Sequence, residues 1–179
     1  MARLLYSATM SLDGFIAGPG GDMSWLTDLL GPNPVADQLV GDVGCLLVGG
    51  RTFRGDDPNR GTEKAGAFEG AYLGPQVVLT RSVPDDPVPD VVFVDDLERA
   101  VAAAQAVAGD KYVNVLGAQT AASCLAAGLL DEVLVLVAPV LLGDGVRLLD
   151  VPGGTDVRLE RLHVSTAPLA TNLWWRVVR

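Results

Sequence analysis

The run Leu46-Leu47-Val48-Gly49-Gly50-Arg51-Thr52-Phe53 sets a cation and a hydroxyl directly behind two glycines at the end of an apolar stretch. Read as strand, turn and helix start, this junction aims backbone N–H groups and a helix dipole at an anion. Gly49 and Gly50 let the main chain approach that anion, because no Cβ intervenes. Arg51 offers a planar fork of donors that fits phosphate oxygens, Thr52 adds a hydroxyl, and Arg54 follows on the same short stretch. A second junction, Val113-Asn114-Val115-Leu116-Gly117-Ala118-Gln119-Thr120, repeats the logic, with Thr120 in place for an N-cap. A third strand end carries Thr80-Arg81-Ser82. It reads either as a solvated turn leading into Val83-Pro84 or as a pocket for a ribose 2′-phosphate, a dianion that favours Arg with hydroxyl donors. With Arg51 and Arg54, the second reading favours a phosphorylated dinucleotide over NAD.

The elements that must position these residues alternate between strand and helix. Strands are expected at 3–10, 45–49, 76–80, 91–94, 112–116 and 132–141, with two more at 157–165 and 172–178 joined through Pro168. The unbroken apolar character of 45–49 predicts burial on both faces. Helices are expected near 34–41, from Thr52, from a capping box opened by Asp95, Asp96 and Glu98 to Gly109, and over 120–127. Residues 56–75 form a polar, glycine-rich excursion of a length usual for lids and binding loops. The pattern predicts one α/β domain over residues 1–179, with a mostly parallel sheet and an antiparallel ending. In open sheets of this kind ligands sit beyond the carboxyl ends of the strands, where all three junctions lie.

Bulk properties narrow the function classes. With 49% apolar residues, the chain can bury a full core without staples. The formal net charge of −9 opposes nucleic-acid or acidic-membrane binding and requires the few cations to be focused locally. Cys45 and Cys124 sit in apolar runs and are expected as buried thiols, which fits a reducing cytoplasm. No stretch is long and apolar enough for a membrane helix, and the first residues lack the pattern of a signal peptide.

Other chemistries find little support. His163 is the sole histidine and reads as a packed or half-exposed strand residue. No set of His, Cys and carboxylates has metal-ligand spacing. There is neither a P-loop nor a G-x-G-x-x-G after a strand, and no G-x-S-x-G elbow for a hydrolase. The Asp pairs read as turn and cap residues. Trp174 and Trp175 should point to opposite faces of the last strand, one into the core and the other against a covered edge or a second subunit.

Taken in order, these segments resemble the dihydrofolate-reductase-like superfamily, most closely the C-terminal reductase domain of the bifunctional deaminase-reductases of riboflavin biosynthesis and its stand-alone relatives. The markers are Ser11-Leu12-Asp13-Gly14-Phe15-Ile16-Ala17, Gly49-Gly50-Arg51-Thr52, Val115-Leu116-Gly117-Ala118, Gly128-Leu129-Leu130-Asp131-Glu132 and Pro139-Val140-Leu141-Leu142-Gly143-Asp144-Gly145. The resemblance implies a three-layer α/β/α fold, NADPH across the strand ends, hydride transfer to a pyrimidine- or pterin-like small molecule, and a homodimer. By position, Gly49, Gly50, Arg51, Thr52 and Arg54 would hold cofactor phosphates. Thr80, Arg81 and Ser82 would face the adenosine phosphate. Gly117, Ala118, Gln119 and Thr120 would cradle pyrophosphate and ribose, and Ala8 and Ile16 would flank the nicotinamide.

Asp13 is the side-chain candidate for proton delivery, with a turn residue and an ordered water as the competing readings. Dihydrofolate reductases carry a pterin-binding carboxylate on their first helix, and here only Asp37 stands near that stretch. A reductase akin to 5-amino-6-(5-phosphoribosylamino)uracil reductase is therefore expected. Dihydrofolate reduction, or a nucleotide-binding dimeric protein without turnover, are the alternatives.

Overall fold

The computed structural model describes residues 1–29, 31–55, 57, 59, 61–84, 86 and 88–179. The strands are β1 (Leu4–Ser11), β2 (Phe15–Ala17), β3 (Val43–Gly49), β4 (Gln76–Leu79), β5 (Val91–Val94), β6 (Tyr112–Leu116), β7 (Glu132–Ala138), β8 (Val146–Arg147), β9 (Leu159–Ala167) and β10 (Ala170–Val177). The helices are α1 (Pro34–Asp42), α2 (Gly50–Arg54), α3 (Leu97–Ala108) and α4 (Ala118–Ala126), with short 3-10 turns at Pro19–Gly21 and Ser24–Leu26. Among the described residues, eight strands form one sheet in the order β5-β4-β3-β6-β1-β7-β10-β9, and β2 pairs with β8 apart from it.

From β5 to β7 every pairing is parallel, and β10 and β9 close the sheet antiparallel. Parallel strands run buried on both faces, and β3 obeys this, with Cys45, Leu46 and Leu47 wholly buried. Pleating sends alternate residues to opposite layers. Leu4, Tyr6, Cys45, Leu47, Val113 and Val115 pack with Ala100, Ala104 and Ala108 of α3 and Ala121 and Cys124 of α4. Leu5, Leu46, Val48, Val78 and Leu134 pack with Leu39 of α1. The three-layer α/β/α reading is met, although coil completes the second outer layer: Ala67, Phe68 and Tyr72 of the excursion lie against it.

Local chemistry explains the helix ends. Asn33 caps α1 by accepting from Val35 N–H, with Pro34 in the first turn. α3 starts one residue later than a box closed by Glu98 requires: Asp96 is the cap and accepts from Arg99 N–H. Gly44 lets α3 close on β3, since a Cβ there would lie 2.5 Å from the Ala108 carbonyl oxygen. Strand β7 ends at Ala138, short of the expected 141; the next strand lies two residues later than expected, at 159–167, and the last starts two residues earlier and ends one earlier, at 170–177. No described helix is long and apolar enough to cross a membrane.

At the amino ends of the strands, Glu132 is buried and accepts from Tyr112 Oη at 3.0 Å and Trp174 Nε1 at 2.9 Å. Arg3 completes this network by pairing with the same carboxylate. It ties β1, β6, β7 and β10 together at the end of the sheet opposite the three strand-end junctions.

Candidate functional site

The sheet order sets β4, β3, β6 and β1 side by side, so the three junctions meet at one edge of the sheet. Each glycine of the junctions faces a threonine hydroxyl from a neighbour. A Cβ on Gly49 would lie 2.5 Å from Thr120 Oγ1, and one on Gly50 would lie 2.7 Å from Thr80 Oγ1. A Cβ on Gly117 would collide with Thr52 Oγ1, and the residue also has φ 103°, a region that L side chains avoid. Thr80 and Thr120 are buried by these contacts.

The helix starts differ from expectation in two ways. α4 is capped by Gly117, which has no side chain to bond the first amides. Thr120, expected as the N-cap, lies inside the helix with its hydroxyl against Gly49. The leading N–H groups of α4 are thus available to an anion. α2 has only five residues and adds little dipole, so arginines supply the field beside it. Arg51 donates through Nη2 to Gln119 Oε1, joining α2 to α4. Arg54 Nη1 reaches Thr80 Oγ1 at 3.4 Å, and Ser82 N–H donates to the same oxygen at 3.2 Å.

These groups line a cleft of about 2040 Å³. Its walls include all the residues read as cofactor contacts: Ala8 and Ile16; Gly49, Gly50, Arg51, Thr52 and Arg54; Thr80, Arg81 and Ser82; and Gly117, Ala118, Gln119 and Thr120. The excursion contributes Asp57, Asn59 and 66–69, so it both lines the cleft and covers the core. Part of the expected excursion, Asp56, Pro58 and Arg60, lies outside the described residues.

Asp13 is not among the lining residues. Its carboxylate accepts from Ser11 Oγ at 2.6 Å, Leu142 N–H at 3.1 Å and Gly143 N–H at 2.7 Å. The Ser11 hydroxyl and these amides hold its pKa down at about 2. Such a group is ionised at neutral pH and has no proton to give, so its contacts favour the turn reading over the proton donor. The bonds clamp the loop after β7, whose Asp144, Gly145 and Val146 do line the cleft. Three further contacts seat that loop: Tyr6 Oη donates to the Leu148 carbonyl at 3.0 Å, the Arg147 guanidinium lies 4.8 Å from the Phe15 ring centre, and Gly145 abuts the Ala17 carbonyl too closely for any side chain.

The remaining wall carried no readable motif. It comes from Met23, Leu26 and Leu29, from Asn33, Ala36 and Leu39 around α1, from Phe53, from Leu136 of β7, and from the β9–β10 turn at Leu169. Asn33 is held in place by a reciprocal amide pair with Asn172 of β10, at 2.8 and 3.0 Å. On α1 it is Ala36 that faces the cleft. Asp37 is exposed and does not line it, so the helix offers no pterin-binding carboxylate. Outside the cleft, His163 is exposed on edge strand β9, and burial pushes the Cys45 and Cys124 thiols up to about 11. No group of His, Cys, Asp and Glu arranged for a metal occurs among the described residues.

The sequence model of the RibD C-terminal domain matches residues 2–170. No curated protein matches the sequence. Among solved structures, a Shewanella sp. PV-4 protein named for riboflavin biosynthesis superposes with a TM-score of 0.75 at 24% identity, over 100% of both chains. The Thermotoga maritima diaminohydroxyphosphoribosylaminopyrimidine deaminase/5-amino-6-(5-phosphoribosylamino)uracil reductase gives 0.68 at 17%, over 99% of this chain and 57% of that one. Enterococcus faecalis dihydrofolate reductase, solved with NADP(H), gives 0.60 at 16%, over 98% and 96%. At these identities the likenesses establish the fold.

Proposed function

From a chain that belongs to the RibD C-terminal domain family, we propose an NADPH-dependent reductase that passes hydride to a pyrimidine- or pterin-like small molecule. The observation that carries this reading is the convergence of three glycine–threonine contacts and three arginines on one cleft. The fit is chemical as well as steric. The glycine–threonine contacts at Gly49, Gly50 and Gly117 draw the three strand ends together, and Arg51 and the open amides of α4 supply donors to a pyrophosphate there. Arg81, Ser82 and Arg54 at the end of β4 suit a 2′-phosphate. Ala8 and Ile16 leave room for a flat ring between β1 and β2. The Enterococcus relative, solved with NADP(H), supports the same choice of cofactor.

When bound, the nicotinamide supplies the hydride, and the protein needs no nucleophile of its own. The residues of the chain bind, orient and exclude water. Asp13 holds the 142–146 loop against the nicotinamide end, and Asn33 holds α1 against β10, so two walls of the cavity are fixed before ligands arrive. A homodimer is the proposed assembly, supported by exposed Leu159, Leu162 and Val164 on edge strand β9, which a second copy would cover. Light scattering on the purified chain measures its mass directly.

Fluorescence titration with NADPH and NADH tests the cofactor. NADPH is expected to bind with micromolar affinity. Arg81→Ala should weaken NADPH about tenfold, ~1.4 kcal/mol, and NADH far less. Absence of NADPH binding at high micromolar concentration, or equal loss for both cofactors, would overturn the reading.

A further inference from the structure

Arg51 and Gln119 face each other across the line where α2 and α4 begin. β3 and β6 are neighbours in the sheet, with Val48 beside Leu116, so the two helices start side by side. Two glycine–threonine contacts hold these starts together. Thr52 Oγ1 takes the Cβ space of Gly117, and Thr120 Oγ1 takes that of Gly49. Arg51 adjoins Thr52 and Gln119 adjoins Thr120, so the contacts fix the main chain at both residues. Both side chains are exposed, and the Arg51 guanidinium donates through Nη2 to Gln119 Oε1.

Two properties of this bond bear on an anion. Gln119 is the second residue of α4, the helix whose leading N–H groups have no side-chain cap. The guanidinium is therefore held at the helix end toward which those amides and the dipole point. The acceptor is also neutral. Among the described residues no ion pair involves Arg51, so the bond orients the guanidinium and leaves its charge uncompensated. The other N–H groups of the fork remain for phosphate oxygens. An exposed arginine without such a partner spreads over many rotamers, and ordering it on a ligand costs affinity.

We infer that Gln119 is a positioning residue: its side-chain oxygen holds Arg51 at the start of α4, so that the pyrophosphate of the dinucleotide meets a cation ordered in advance. Gln119 acts through Arg51 and does not itself touch the cofactor, unlike the direct contact that its place in the motif implies. A carboxylate at this position would also orient Arg51. It would neutralise the guanidinium as well, and set a negative charge against the phosphates. Glutamine supplies the acceptor without the charge. The inference rests on the NADPH reading above and names the residue that prepares its phosphate site.

Fluorescence titration compares the parent with Gln119→Met, Arg51→Ala and the double variant. Methionine keeps the length and helix propensity of glutamine and removes the oxygen. A parent that does not bind NADPH overturns the cofactor reading, and this proposal with it. In a parent that binds, Gln119→Met is expected to weaken NADPH about fivefold and Arg51→Ala at least about tenfold. In the Arg51→Ala background, Gln119→Met should change affinity by less than about twofold. Gln119→Glu should bind NADPH more weakly than Gln119→Met, with the gap narrowing as salt is raised. Nitrogen-15 relaxation of the Arg51 guanidinium, measured without cofactor, should show an ordered side chain in the parent and a mobile one in Gln119→Met. A Gln119→Met loss that persists in full on the Arg51→Ala background would mark a direct contact or a displaced helix and would overturn the proposal. So would a Gln119→Met chain that binds NADPH like the parent, a Gln119→Glu chain that binds it more tightly than Gln119→Met, or an Arg51 side chain equally mobile in the parent and Gln119→Met.

Discussion

Thr52 Oγ1 occupies the space that a Cβ on Gly117 would need, so the helix start after β3 and the turn after β6 touch only because residue 117 is glycine. The contact joins two junctions that lie 65 residues apart by number, and it forms the floor between the proposed pyrophosphate donors. Gly117→Ala adds both a collision and an L side chain at φ 103°. It is expected to lower stability by about 1–3 kcal/mol and to weaken NADPH at least tenfold. Thr52→Ala removes the colliding oxygen and should recover part of the stability loss in the double variant. Chemical denaturation of the four proteins measures the coupling, and strict additivity would deny the contact.

Asp13 makes a pH-dependent contribution whose sign follows from its pKa. The folded value of about 2 lies below the ordinary 3.8, so the unfolded chain binds the proton more tightly. The stabilisation is complete above about pH 4 and is lost as pH falls toward 2. Asp13→Asn should therefore be less stable than the parent at neutral pH, and the gap should close over that acid window. Thermal melts across pH 2–7 give both curves, and parallel curves would contradict the clamp.

How much of this was legible in the sequence depended on distance along the chain. The junctions at Gly49, Thr80 and Gly117 could be read because an apolar run and its glycine or hydroxyl are neighbours in sequence. The role of Asp13 could not be read, since its amide partners lie 129 and 130 residues away. Strands β2 and β8, of three and two residues, are too short to show any alternation. Thr120 was misplaced at the helix cap because Gly117, with positive φ, takes that position and pulls the helix start forward. The face of α1 was equally obscure: nine residues with one buried side chain, Leu39, do not fix which of Ala36 and Asp37 points inward.

That face has a functional consequence. Asp37 is exposed on α1 and Ala36 lines the cleft, so Asp37→Asn should change turnover of any accepted substrate by less than about twofold. Steady-state rates with NADPH check this. A loss of a hundredfold would revive the dihydrofolate reductase reading.

Glu132 separates stability from function. It is buried among Arg3, Tyr112 and Trp174 at the end of the sheet away from the cleft. Glu132→Ala leaves the Tyr112 hydroxyl and the Trp174 N–H without their acceptor and should cost about 2–4 kcal/mol. The affinity of the folded variant for NADPH should stay within about twofold of the parent. Denaturation and titration of the same sample measure both.

A crystal structure of the chain soaked with NADPH tests the central claim most directly. The account predicts pyrophosphate density against Gly49, Gly50 and Gly117, the 2′-phosphate beside Arg81 and Ser82, and the nicotinamide between Ala8 and Ile16. Density for the dinucleotide elsewhere, or an empty cleft at saturating cofactor, would contradict it.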